Sequence, residues 1–348
     1  MKKFFRLYAN AALILAFTAC QQAPALPAES SEAEVVIEEA QPTPAVISAD
    51  NVGSLSAVYS ASVSNGFAHV TWAADSSAYW IEDGERAALY DAESNELAGE
   101  FAPGEYTAVY DVSPDSNTVA YSQDGAEIHF YDLSSGADAL TIAPGFPYRN
   151  GFFNHDGSQF AVPSEMDLKI VLFNTSSGAE MGNLRGFETA APVYSALFGD
   201  NGSTLLWFSR GIVQPMDLAT GNMGPTLSHE DFVTALRVSG NGEVVATTAA
   251  GTVGGEFSPL LTMWDSESGE ILRQIAIPAY FSSISFSPDS SLIAAGTENS
   301  LLVFTVTAGD EVFRMESEEV INSVAFSPDG TKLAACGNFG TLTIFAVE

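Results

Sequence analysis

Val324-Ala325-Phe326-Ser327-Pro328-Asp329-Gly330, followed by Leu333-Ala334-Ala335-Cys336 and then Leu342-Thr343-Ile344-Phe345, sets the architecture of the whole chain. Three short apolar runs are separated by tight turns. Pro at the second place and Gly at the fourth of Ser327-Pro328-Asp329-Gly330 suit a type I turn joining two strands.

The same unit recurs upstream. Its turn centres on Asp75, Asp115, Asp156, Asn201, Asn241, Asp289 and Asp329, at intervals of 40, 41, 45, 40, 48 and 40 residues. That period is the length of a four-stranded propeller blade, so seven units predict an all-β, seven-bladed β-propeller of antiparallel blades. Blades are expected to start near residues 67, 107, 149, 193, 233, 281 and 321. The third is the least regular, because Phe152-Phe153-Asn154-His155 departs from the repeat. Ala120, Ala161, Ala246, Ala294, Ala295, Ala334 and Ala335 mark the second strands as crowded between neighbouring blades. The last unit stops after its third strand, and an extra strand-like run, Leu55 to Ala61, precedes the first. Pairing the two closes the ring and removes exposed edges.

Residues 51–348 therefore read as the propeller. Unit five carries His229, Thr247 and Trp264-Asp265, and on these residues the chain resembles the WD-repeat β-propeller family. The resemblance implies a structural network in which His, Ser or Thr, and Trp join an Asp. Here the usual Asp position falls in Ala249-Ala250-Gly251, which leaves that network a member short. In the other units the dipeptide becomes Tyr90-Asp91, Tyr131-Asp132, Phe173-Asn174, Met216-Asp217, Phe304-Thr305 and Phe345-Ala346.

The N-terminus has a different character. Lys2, Lys3 and Arg6 precede an apolar run from Leu7 to Ala19, the layout of an export signal and too short to span a bilayer. Leu15-Ala16-Phe17-Thr18-Ala19-Cys20 resembles the bacterial lipoprotein signal, which implies cleavage after residue 19, lipidation of Cys20, and an extracytoplasmic protein anchored to a membrane. Residues 20–50 carry Pro24, Pro27, Pro42 and Pro44 with acids and no base, the composition of a disordered tether, with a span of roughly 30 Å or more. Cys336 is the one remaining cysteine, so no intrachain disulfide is expected in the mature chain.

Loss of residues 1–19 leaves nine basic against 44 acidic residues, a net charge of −35. Such a field repels nucleic acid and anionic lipid. His69, His129, His155 and His229 fall in different units without zinc-site spacing, and no nucleophile elbow, phosphate loop or calcium loop is present. No catalytic residue, metal site or cofactor is expected.

The scarce basic residues mark a candidate binding sector. Arg149 and Arg185 fall in loops entering units three and four, and Arg210 falls in a turn of unit four; Phe146, Tyr148 and Phe187 stand beside them. Arginine forks with aromatic surface suit an anionic ligand or an acidic segment of a partner protein. The function expected is a lipid-anchored scaffold for a protein or ligand. Two alternatives stand beside it. One is a hydrolase or lyase using the central channel. The other is an envelope-assembly or transport accessory resembling the six-bladed periplasmic propellers, whose blade number fits these seven units less well.

Overall fold

The second strands are where the repeat becomes a structure. Ala120, Ala161, Ala246, Ala294, Ala295, Ala334 and Ala335 are all buried, and their small side chains let neighbouring sheets approach face to face. In the computed structural model the described residues are 44–348, except 65, 84–85, 103–106, 165–168, 185–194, 200–201, 210, 278 and 348.

They form seven four-stranded antiparallel sheets. Six are consecutive in sequence, spanning residues 69–101, 108–142, 152–184, 195–228, 233–276 and 281–316. The seventh combines Ile321–Phe326, Lys332–Gly337 and Thr341–Val347 with the N-terminal strand Leu55–Ser62. Leu55 lies opposite Val347 and Ser62 opposite Thr341, so the first strand supplies the outer strand of the last blade. The structure is an all-β, seven-bladed propeller whose ring closes through its N-terminal strand.

Neighbouring inner strands run parallel to one another. Val324 N donates to Ser283 Oγ at 3.2 Å and Phe326 N to Ser285 Oγ at 3.1 Å, a two-residue step on both strands. Val70 N to Ser323 Oγ at 3.1 Å and Trp72 Nε1 to the Ala325 carbonyl at 3.0 Å repeat the step from blade seven to blade one. Parallel inner strands place equivalent loops of these blades on the same face.

The core is a ring of wedges between blades. Trp80 and Phe101 of blade one pack with Val112 and Val119 of blade two. Met263 of blade five packs with Ile284 and Phe286 of blade six. Each fully buried large apolar side chain contributes about 1.5–3 kcal/mol. Blade three has the shortest inner strand beside its neighbours, Phe152–Phe153, where the sequence departs from the repeat. The packed chain also begins before residue 51. Ile47 is buried against Leu292 and Phe345, and its N–H donates to the Gly330 carbonyl at 2.8 Å.

Candidate functional site

In an antiparallel blade, the start of the inner strand lies at the same end as the turn between the second and third strands. In blade one His69 pairs with Glu82, and Glu82 with Ala87. In blade seven Ile321 pairs with Gly337, one residue before the next turn. This end is the entry face.

Five aromatic side chains are exposed among the described residues, and all five stand on the entry face. Phe67 precedes the inner strand of blade one, Phe232 that of blade five and Tyr280 that of blade six; they are 67%, 60% and 56% exposed. Phe339, 70% exposed, sits in the turn after Gly337 of blade seven, and Phe257, 62% exposed, in a hairpin of blade five. That hairpin projects because strands Val244–Val253 and Glu256–Asp265 run on past the rest of the sheet. Gly254 and Gly255, both at positive φ, turn it. Blades five, six, seven and one are consecutive around the ring, so the aromatics form an arc.

The charge beside the arc is negative. Glu230, Asp231, Glu256, Glu298 and Glu318 are exposed at the same end. Arg86, in a turn of blade one, is occupied by Asp83 at 3.0 Å and Glu100 at 2.8 Å. Between Phe232 and Tyr280 a cleft of about 170 Å³ opens between blades five and six, with Asp231 at its rim and Ala250, Pro259 and Phe281 in its walls.

The sector expected from sequence is described only in part. Arg149 is exposed at the entry to blade three. Tyr148 is buried, its ring edge against Tyr110 at 5.9 Å between centroids, and offers no aromatic surface. Phe146 packs half-buried against the same cluster, with Lys169 Nζ 4.6 Å from its ring centroid. Arg185, Phe187, Arg210 and Cys20 lie outside the described residues. The five aromatics of the arc escaped the sequence reading. Their signal was position: Phe232 follows Glu230-Asp231 just before a strand, and Phe339 sits between Asn338 and Gly340 at a hairpin tip, where neither ring has a sheet face to occupy.

His229, Thr247 and Trp264 meet inside blade five. Trp264 Nε1 donates to Thr247 Oγ1 at 2.8 Å, and Thr247 Oγ1 lies 2.8 Å from His229 Nε2. His229 Nδ1 lies 3.1 Å from the Gly211 carbonyl, which can only accept. The proton therefore sits on Nδ1, and the threonine hydroxyl donates to Nε2. Burial holds the His229 pKa below its ordinary value, against the hydrogen bond to Gly211, so the ring stays neutral. The carbonyl of Gly211, from blade four, thus supplies the acceptor for His229, while the position where the resemblance leads one to expect a carboxylate is Ala249-Ala250-Gly251. A side chain at 211 would come within 2.7 Å of the His229 carbonyl. Asp265 lies outside this network and closes the following turn, accepting from Ser268 N at 2.8 Å and Ser268 Oγ at 2.7 Å.

Among the described residues no group of three or more His, Cys, Asp or Glu is arranged to hold a metal ion. The nearest approach to a catalytic pairing is His129 Nδ1 with Asp138 Oδ2 at 3.0 Å, on the outer half of blade two. Thr141 Oγ1 lies 3.2 Å from the same nitrogen.

Comparison with known proteins agrees with this architecture. The family model "WD domain, G-beta repeat" matches residues 311–341, from the outer strand of blade six to the third strand of blade seven. Eukaryotic translation initiation factor 3 subunit I of Scheffersomyces stipitis is 27% identical over 129 residues, which are 35% of this chain and 35% of that protein. The match thus spans about a third of the curated relative's length. The crystal structure of the β-propeller domain of Cps50 (Swd1) from Myceliophteria thermophila superposes with a TM-score of 0.67 at 15% identity, covering 84% of this chain and all of that one. Seven four-stranded sheets make this chain a seven-bladed β-propeller, and the stretch running into the last of them is similar to one WD repeat.

Proposed function

We propose that this chain is an extracytoplasmic, lipid-anchored propeller that serves as a binding scaffold and captures a partner protein on its entry face. One observation carries the scaffold reading: all five exposed aromatic rings among the described residues share that face. Exposed aromatic side chains are enriched at interface hot spots, and a rigid ring of blades holds them at fixed spacing without ordering cost on binding. The anchor rests on the sequence, where Cys20 follows a basic and then apolar leader. The acidic, proline-bearing segment after it would hold the propeller clear of the lipid surface.

Capture after gentle crosslinking of intact cells tests the scaffold. A specific partner recovered with the tagged protein should be lost with Phe232→Ser combined with Phe339→Ser, at an unchanged melting temperature. Equal recovery with both proteins would remove the entry face from the reading. Metabolic labelling with a fatty-acid analogue tests the anchor: label on the wild type and none on Cys20→Ala is the expected result, and an unlabelled wild type excludes lipidation.

A further inference from the structure

We propose that the cleft between blades five and six is a socket for one arginine side chain of an extended partner segment. The proposal rests on the scaffold reading and names the chemistry the face selects.

The cleft has the size and lining of a side-chain socket. At about 170 Å³ it falls below the roughly 300–1,000 Å³ of ordinary small-molecule sites, yet it admits one long side chain. Its walls are mostly apolar: Ala250 and Pro259 come from the projecting hairpin of blade five and Phe281 from the first residue of the inner strand of blade six, while the Thr234 hydroxyl among them is engaged by Thr248 at 2.8 Å. Such walls suit the methylene stem of an arginine rather than a charged head. The rim carries two exposed rings, Phe232 and Tyr280, together with the Asp231 carboxylate. A guanidinium at that height can lie against an aromatic face and pair with the carboxylate at once. Lysine supplies a point charge and gains less from a flat ring and a two-oxygen acceptor.

Asp231 is prepared for this pairing. Its Oδ1 accepts the Phe232 N–H at 2.7 Å, which fixes the carboxylate beside the ring, and among the described residues Oδ2 has no hydrogen-bond donor. Among the described residues no basic side chain pairs with it. The basic residues of blades five and six are Arg237, Arg273 and Arg314. Arg237 pairs with Ala246 toward the opposite end of its inner strand, and the other two stand on outer strands, Arg314 held by Glu311 at 2.6 Å. Glu230 and Glu256 add negative potential to the same rim. A field of this sign attracts a basic segment and repels an acidic one.

The test is fluorescence anisotropy of the full chain with two labelled peptides, one carrying a single arginine in a Gly-Ser-Leu frame and one with citrulline in its place. Citrulline keeps the shape and removes the charge. The arginine peptide should bind about tenfold more tightly than its citrulline twin, with the difference shrinking as salt is raised. Asp231→Asn should erase the difference, and Phe232→Ala with Tyr280→Ala should weaken both peptides. Phe67→Ser, on blade one, should leave the ratio of the two affinities unchanged. Equal affinities for the wild type, a difference that survives Asp231→Asn, or no binding of either peptide would each overturn the socket. The scaffold reading has its own fate. A cellular partner lost with Phe232→Ser and Phe339→Ser but kept by Asp231→Asn would leave the docking face standing without an arginine socket.

Discussion

Three of the seven repeated turns put a serine where the backbone is left-handed. Ser76, Ser116 and Ser290 have φ of 62°, 59° and 62°, and glycines 157, 202, 242 and 330 hold the same corner in the other blades. An L side chain there is strained by about 1–2 kcal/mol, so each serine calls for a compensation. Ser76 Oγ accepts the Asp329 N–H at 3.0 Å, and Ser290 Oγ accepts that of Asn241 at 3.3 Å, so both hydroxyls tie neighbouring blades together. Ser116 Oγ is buried without a partner. Ser116→Gly should therefore raise stability by about 1 kcal/mol in urea unfolding, whereas Ser76→Gly should give no gain. Equal gains at both sites would dismiss the bridging role of Ser76. At this scale the sequence was legible for His229, Thr247 and Trp264, whose types are unusual enough to stand out. It was not legible for Phe67 or Tyr280, because aromatic residues are common in buried strands and their exposure depends on a loop path that no local pattern records.

Between elements, the contact of blades one and two places two acids where acids are costly. Glu82 ends the second strand of blade one, and its Oε1 is shut from solvent without a hydrogen-bond partner. Asp111, on the inner strand of blade two, accepts N–H groups from Val112 at 2.9 Å and Phe153 at 2.8 Å. Burial drives both pKa values upward, and the nearby Asp111 charge lifts Glu82 further. The folded protein then holds a proton that the unfolded chain releases near pH 4, so stability falls as pH rises from that value toward the raised pKa of Glu82. Glu82→Gln should remove this penalty. It should stabilise the protein by more than about 1 kcal/mol at pH 8 and by almost nothing at pH 4, measured by denaturant unfolding at both. A gain independent of pH would mean that packing, not charge, limits this interface. Strand positions, in contrast, were legible because turns announce them. Inner strands start at 69, 108, 152, 195, 233, 281 and 321, within three residues of the expectation. The buried acids were not, since a lone Glu at a strand end reads as a solvated residue until the next blade is laid over it.

For the whole molecule, the decisive contact joins the two ends of the ring. Ser60 lies opposite Thr343, with their hydroxyl oxygens 3.3 Å apart. Ser60→Cys with Thr343→Cys should form a disulfide on oxidation that raises stability by about 3 kcal/mol and is reversed by reductant. Cys336 should not interfere, because burial, and then the Glu319 charge, push its thiol pKa up to about 12. If the crosslinked protein melts where the reduced one does, blade seven is not where the ring opens first. That closure also sets a timetable for folding. Leu55–Ser62 is made early and its partner Thr341–Val347 near the end, so nearly the whole propeller must be synthesised before the two strands can pair. Contacts of such long sequence separation form slowly. Through that interval blade seven lacks an outer strand and Leu55–Ser62 lacks a sheet, which makes this one strand both the last piece of the fold and the one most open to pairing with another chain.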